Sequence, residues 1–219
     1  MRVRRFFSVI HTHTTAAISN TPHAVLHEIA KMSLDTRRGY IVYGERTKEP
    51  MPHPTIAMRR KDREITDKAE LLDILRRCQT VRIGMVSEGL PYVVPMSFGY
   101  EEVAGQVVIH IHCAPVGRKI KALQENPTVC VEADLFSCYE PTPRGITARY
   151  ESLIGHGTAQ RVEGEAKQHA LRCLLAHCGY ADYPLSDCTY LAHTAAYSIT
   201  LTSLSGKRNL PEGGENAER

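Results

Sequence analysis

The sequence has no run near the ~20 apolar residues that a membrane-crossing helix needs. It also has no Cys-x-x-Cys pair and no acidic residue before Glu28. The first absence excludes a chain that crosses a bilayer on helices. The second removes the usual spacing of zinc and redox cysteine pairs. The cysteines (Cys78, Cys113, Cys130, Cys138, Cys173, Cys178, Cys188) mostly lie inside apolar segments. They read as buried, reduced thiols of a reducing compartment. Cys173, His177 and Cys178 fall close together on a predicted helix, but no second ligand pair supports them, and no metal is expected. There is no phosphate loop and no Gly-rich dinucleotide fingerprint. No nucleophile elbow occurs, and nothing groups a Ser, a His and an Asp, so a hydrolase is disfavoured.

The missing acids expose a charge asymmetry. Residues 1–57 carry 8 Lys and Arg against 4 Asp and Glu, whereas 58–219 carry 19 against 20. The net charge of +3 therefore belongs to the N-terminal quarter. A nucleic-acid binder would carry its basic excess on the folded part, so nucleic acid is not expected as a partner. The sequence predicts that 1–57 is a basic, mostly disordered extension. Arg2, Arg4 and Arg5 ahead of Ser/Thr-rich sequence fit a mitochondrial transit peptide. They fit equally a stretch read through from an early start, with Met58 as the true beginning. Pro50-Met51-Pro52-His53-Pro54 marks the hinge. The body spans 58–210, followed by a mobile tail, 211–219. Its location is cytoplasmic, or mitochondrial if the leader is genuine.

What is present from Thr66 onward is regular patterning. Asp67 and Glu70 read as a capping box. Leu71, Leu72, Ile74 and Leu75 share one helical face, so 67–77 is a helix. Strands follow at 81–86, 92–100 and 106–112, linked by turns at Glu88-Gly89 and Glu101–Gly105. A helix over 116–123 stops at Asn126-Pro127. Further strands are expected at 128–135, 147–162 and 195–204, with a loop at Pro141–Gly145, a bulge at Gly155 or Gly157, and a helix over 163–177. Tight turns make the first three strands an antiparallel meander. Six strands with few helices predict a mainly β protein with peripheral helices, closed or half-closed as a barrel.

Three segments can carry chemistry. His112-Cys113-Ala114-Pro115-Val116-Gly117-Arg118-Lys119 ends a strand and opens a helix with two cations. A helix N-terminus favours anions, and Arg grips phosphate with paired bonds; the bland alternative is a solvated helix start. Tyr92 to Tyr100 reads as a core strand, or as one lying along a flat aromatic ligand, with Pro95 unable to donate and Ser97 offering a small polar group. Tyr150 to Gly157 carries His156, which is either structural or an acid, base or ligand. His110 and His112 share a strand face, but no third metal ligand is indicated.

These segments together resemble the pyridoxamine 5'-phosphate oxidase-related, FMN-binding split-barrel proteins, in particular the nitroimidazole-resistance branch. Arg59 to Ile65 resembles the branch's opening, Pro91 to Pro95 with Phe98-Gly99-Tyr100 its second-strand signature, and His112 to Lys119 its loop. Tyr150, Ser152 and Gly157 resemble a later strand, and Ser205-Gly206-Lys207 its ending. Cys113 stands where many relatives carry Ser, His156 replaces an aromatic residue, and Leu153 a Val.

The resemblance implies a six-stranded split β-barrel over 58–210 and a homodimer with FMN where the subunits meet. It implies that the backbone of Pro95, Met96, Ser97 and Phe98 lies beside the isoalloxazine ring. His112, Cys113, Gly117, Arg118 and Lys119 would meet the phosphate, with Ser152 near the site. The expected function is an FMN-dependent oxidoreductase passing electrons from NAD(P)H to a small acceptor, a nitroaromatic compound among the candidates. No catalytic acid or base is assigned. The alternatives are a flavin or haem carrier without turnover, and a pyridoxamine 5'-phosphate oxidase proper, which the lack of an Arg-rich C-terminal segment disfavours. Deazaflavin in place of FMN stays open.

Overall fold

The computed structural model describes residues 57–211 and, before them, two short strands, β1 (Met32–Asp35) and β2 (Tyr40–Tyr43). These pair antiparallel, Met32 facing Tyr43 and Asp35 facing Tyr40. The rest of the expected extension 1–57, and the expected tail beyond Pro211, lie outside the described residues. The chain divides into two units, Met1–Glu49 and Pro50–Arg219.

In the second unit, helix α1 (Lys68–Arg77) starts where Asp67 accepts a hydrogen bond from the Ala69 N–H at 2.9 Å. Only half of the expected capping box forms, because Glu70 reaches instead to Arg208, 2.9 Å away on the last strand. Leu71, Ile74 and Leu75 are buried, as the helical spacing predicts. Helix α2 (Arg118–Glu125) buries Ile120, Ala122 and Leu123. Helix α3 (Gly164–His177) buries Ala170, Leu171 and Leu174. Among the described residues, no helix is long and apolar enough to cross a membrane.

The strands are β3 (Glu64–Ile65), β4 (Val81–Ser87), β5 (Leu90–Met96), β6 (Phe98–Val103), β7 (Gln106–Cys113), β8 (Thr128–Thr142), β9 (Gly145–Val162) and β10 (Ala195–Asn209). They form one antiparallel sheet in the order β5-β4-β8-β9-β10-β7-β6, with β3 added beside β10. The expected second strand, 92–100, is one segment in sequence but two in the ladder. It breaks at Ser97, so β5 pairs with β4 and β6 pairs with β7. The expected three-strand meander is therefore corrected to two separate hairpins. Their turns put Glu88 and Ala104 in the left-handed region, each followed by a Gly there.

This break dictates the architecture. β5 and β6 occupy opposite edges of the strand order, yet a single residue, Ser97, joins them. The sheet must roll until its two edges meet at that point. It is thus a barrel split along β5 and β6, not closed by a continuous ladder. Pro91 and Pro95 fall on the edge strand β5, where a missing N–H costs no ladder bond.

The expected loop at Pro141–Gly145 is also corrected. β8 and β9 continue as a two-stranded ribbon up to Thr142 and Gly145, which face each other. A bulge lies not at the glycines of β9 but opposite them, where the β10 register shifts between Leu201 and Ser203. Gly157 is needed because a Cβ there would overlap the Thr200 carbonyl. The core is built from alternate residues of the strands, including Val81, Ile83, Ile109, Ile111, Val131 and Ile199. β7 is buried on both faces over Val107–Ile111. Val107, Ile109 and Ile111 belong to the barrel core, so Val108 and His110 face the other way, toward α3.

Candidate functional site

Two chain segments meet at one end of the barrel. β5 ends at Met96 opposite Val81, and β7 ends at Cys113, five residues before Arg118 opens α2. Gly117 caps α2 with φ 126°, a conformation that favours glycine. No side chain caps this helix, so its first N–H groups are available to a ligand. Lys119 Nζ lies 2.8 Å from Met96 Sδ, which ties the loop to the strand. Arg118 donates from Nε to Ser87 Oγ at 3.0 Å. Its guanidinium lies 4.3 Å over the Tyr92 ring. A cleft of about 470 Å³ opens on the Arg118 side, toward the Glu88-Gly89 turn and away from Met96, lined by Ser87, Glu88, Gly117, Arg118, Lys121 and Glu125.

These partners leave an electrostatic opening. A thioether is a weak acceptor, and Lys119 and Arg118 make no ion pair with a carboxylate among the described residues. Two cations beside an uncapped helix start suit a phosphate, Arg118 reaching toward Ser87 and Lys119 toward Met96. The Cys113 thiol is half-buried; burial pushes its pKa up while the Lys119 charge pulls it down. For His112, desolvation first and then the Lys119 charge hold the imidazole below the usual histidine range. His112 also lines a more apolar cleft of about 350 Å³ between α3 and the segment holding Tyr183, Leu185 and Tyr190.

The other expected site residues divide. Pro95 and Ser97 are exposed and Met96 is half-buried. Phe98 is fully buried, its ring 4.3 Å from that of His177, so in the single chain it presents no surface to a ligand. Ser152 stands apart from the loop. Its hydroxyl donates to the Lys207 carbonyl at 3.4 Å. Following the register from Pro95 through Arg82 and Glu132 to Ile154, the strand of Ser152 is three strands away. At the usual strand spacing that is about 14 Å. His156 is half-buried, with Nδ1 3.4 Å from Ser203 Oγ. His177 is no ligand to Cys173 or Cys178, since its Nε2 bonds the Cys78 carbonyl at 2.8 Å.

The sequence reading missed three residues. Ser87 and Tyr92 hold Arg118, and only their places beside the Glu88-Gly89 turn hinted at it. Tyr197 faces Ile111 across the β7–β10 ladder. Its hydroxyl is buried without a hydrogen-bond partner among the described residues. Burial raises its pKa, with Arg161 opposing and Cys113 adding. An unpaired buried hydroxyl costs roughly 1–3 kcal/mol, so this one suits a ligand or water that completes it.

The fold is a split barrel with two adjacent cations at a helix start beside an edge strand. The comparison of families is specific: the model for pyridoxamine 5'-phosphate oxidase matches residues 67–208. The chain belongs to the pyridoxamine 5'-phosphate oxidase family. Among solved structures, it is similar to a candidate 5-nitroimidazole antibiotic resistance protein from Bacteroides thetaiotaomicron. They share 29% identity and a TM-score of 0.59, over 66% of this chain and 85% of that one. A flavocytochrome from Azotobacter vinelandii matches at 21% identity and TM-score 0.59, over 72% of this chain and 74% of that one. An FAD and haem binding protein from Mycobacterium smegmatis matches at 22% and 0.58, over 70% and 81%. No curated protein matches the sequence.

Proposed function

We propose that this chain binds FMN and works as an oxidoreductase for a small acceptor, with nitroaromatic compounds the first class to test. The observation that carries the reading is the Lys119–Met96 contact, a cation held at an uncapped helix start with only a sulfur as acceptor. The similarity to the Bacteroides protein, which is described as a candidate in nitroimidazole resistance, supports the choice of acceptor. FMN would supply the redox chemistry, taking hydride from NAD(P)H and passing electrons on.

The residues of the chain bind and orient. Lys119 and Arg118 hold the phosphate, and Gly117 lets the backbone turn against it. His112 and Cys113 shape the loop. The backbone of Pro95, Met96 and Ser97 lies along the ring, and buried Phe98 anchors the end of that segment. No side chain is required as an acid or base, because solvent protonates the reduced product. The functional unit is a homodimer. Phe136, Tyr139 and Ile146 are 54%, 72% and 69% exposed on the β8–β9 ribbon, apolar surface that a second copy would cover. Ser152 meets the flavin where the two copies come together.

Purified chain tests the reading through what co-purifies. A yellow protein whose released cofactor has the mass of FMN, and which oxidises NAD(P)H when a nitroimidazole is added, supports it. A yellow protein without turnover points to a carrier, a Soret band to haem, and another mass to FAD or a deazaflavin. A colourless protein that FMN does not protect from melting overturns it.

A further inference from the structure

Four side chains that flavin binding does not use converge where α3 crosses β6 and β7. Glu101 comes from β6, His110 from β7, and His169 and Cys173 from α3. Glu101 Oε1 lies 3.0 Å from His110 Nε2 and 2.8 Å from His169 Nε2. His169 Nε2 lies 3.6 Å from Cys173 Sγ. One donor atom from each residue falls within 4.8 Å of all the others.

The backbone makes this convergence. His169 and Cys173 are four apart on a helix and share a face. His110 faces Gly99 across the ladder, and Glu101 is two residues further on, so both project to the side that α3 covers. The helix comes close because residue 99 is glycine: a Cβ there would overlap the backbone of Cys173 and Leu174. His110 is 3% exposed, and its second ring nitrogen, Nδ1, is 2.9 Å from Ser198 Oγ. That contact orients the ring with Nε2 toward the cluster, as supporting partners do for metal-bound imidazoles.

We propose that Glu101, His110, His169 and Cys173 form a zinc site, separate from the Arg118–Lys119 loop and independent of what that loop binds. Two imidazoles, a thiol and a carboxylate are a zinc donor set rather than one for calcium or magnesium. Zinc bonds of about 2.0–2.3 Å place tetrahedral donors roughly 3.3–3.8 Å apart. The His169–Cys173 spacing of 3.6 Å already meets this. The two contacts of Glu101 need to open by about half an ångström. Binding breaks the Cys173 S–H bond, forms a zinc–sulfur bond and releases the proton to solvent. Both imidazoles bind neutral through Nε2. With all four positions filled by protein, the ion is structural: it pins α3 to the sheet. Without metal, Glu101 links the two rings by hydrogen bonds alone, and this is the account the experiment must separate.

The full chain is stripped with a chelator, dialysed and titrated with zinc and, in parallel, with cobalt. The expected result is one metal per chain, a higher melting temperature, and a near-ultraviolet thiolate-to-cobalt band. Cys173→Ser abolishes that band, and Cys173→Ser and His169→Ala each weaken zinc binding about tenfold or more. Both residues are partly exposed, so folding survives their loss. Cys178→Ser, at an exposed cysteine five residues on, changes neither readout. A chain that takes up no stoichiometric zinc, or a Cys173→Ser variant with wild-type affinity and spectrum, overturns the site.

Discussion

The ammonium of Lys119 donates to the thioether of Met96 across 2.8 Å. This contact joins the two segments that the proposed function requires, and it leaves the charge of Lys119 largely unanswered. Lys119→Ala should therefore weaken FMN binding far more than it weakens the fold. A hydrogen bond to a charged group contributes about 1.5–3 kcal/mol, which corresponds to roughly 10- to 100-fold in affinity. Quenching of flavin fluorescence measures this, and an unchanged dissociation constant would refute the assignment. The urea midpoint of the flavin-free chain should stay in place.

Gly99→Ala should destabilise the protein by about 1–3 kcal/mol, because the added methyl meets the backbone of α3 and forces the helix off the sheet. Gly206→Ala is the comparison. Its methyl meets side chains, the tip of Leu71 first and then Ile65, rather than helix backbone. Urea unfolding of both variants should rank Gly99→Ala as the more damaging; the reverse order would mean that α3 yields easily.

Cysteine labelling should be strongly selective. Cys78 is 4% exposed. Burial, helped by the Asp134 charge, pushes its pKa up to about 11. The thiolate is the nucleophile, so Cys78 should resist iodoacetamide at neutral pH while exposed Cys178 reacts. Peptide mass mapping after short labelling reads this directly. Early modification of Cys78 would show that α1 opens from the barrel.

Asp73 gives a defined acid response. The hydrogen bond from Arg76, then that from Arg77, holds its carboxyl below the usual range against the opposing effect of burial. A lowered folded pKa means that this contribution is complete above the unfolded value of about 3.9 and is lost as pH falls through the folded value. Asp73→Asn should cost about 0.2–1 kcal/mol at pH 7, since the pair is largely solvated. The two unfolding curves should converge in acid, once pH has fallen through the lowered folded value. A difference that persists there would assign the effect to packing.

The exposed rings of Phe136 and Tyr139, with centroids 5.0 Å apart, supply the test of association. A double change to Asp should convert a dimer to monomer in light scattering, with the circular dichroism of the barrel retained. A variant that stays dimeric would move the interface off this ribbon.

Much of this fold is legible in the sequence because its signals are local. Asp67 before Leu71, Ile74 and Leu75 marks α1, and Asn126-Pro127 ends α2. The break at Ser97 is not legible, because Tyr92 to Tyr100 keeps strand character throughout and only the ladder divides it. The ribbon beyond Leu135 was hidden by Pro141 and Pro143, which read as loop yet sit at the tip and edge of a hairpin. At the site, Arg118 and Lys119 stand out as adjacent cations after a glycine. Tyr197 and Ser87 do not, since an unpaired hydroxyl and a hydroxyl beneath a guanidinium are properties of packing between distant strands. The cluster at Glu101 is legible only in its i,i+4 half, His169 and Cys173.

The one-residue connection at Ser97 acts as a mechanical hinge. Successive Cα atoms are about 3.8 Å apart, so those of Met96 and Phe98 can never separate by more than about 7.6 Å. However far β5 and β6 part elsewhere, the seam is stitched at this end. Gaping of the wall is therefore confined to the opposite rim, where the Glu88-Gly89 and Ala104-Gly105 turns swing free of each other. Anything seated against Pro95–Phe98 rests at the pivot, the part of the wall that moves least.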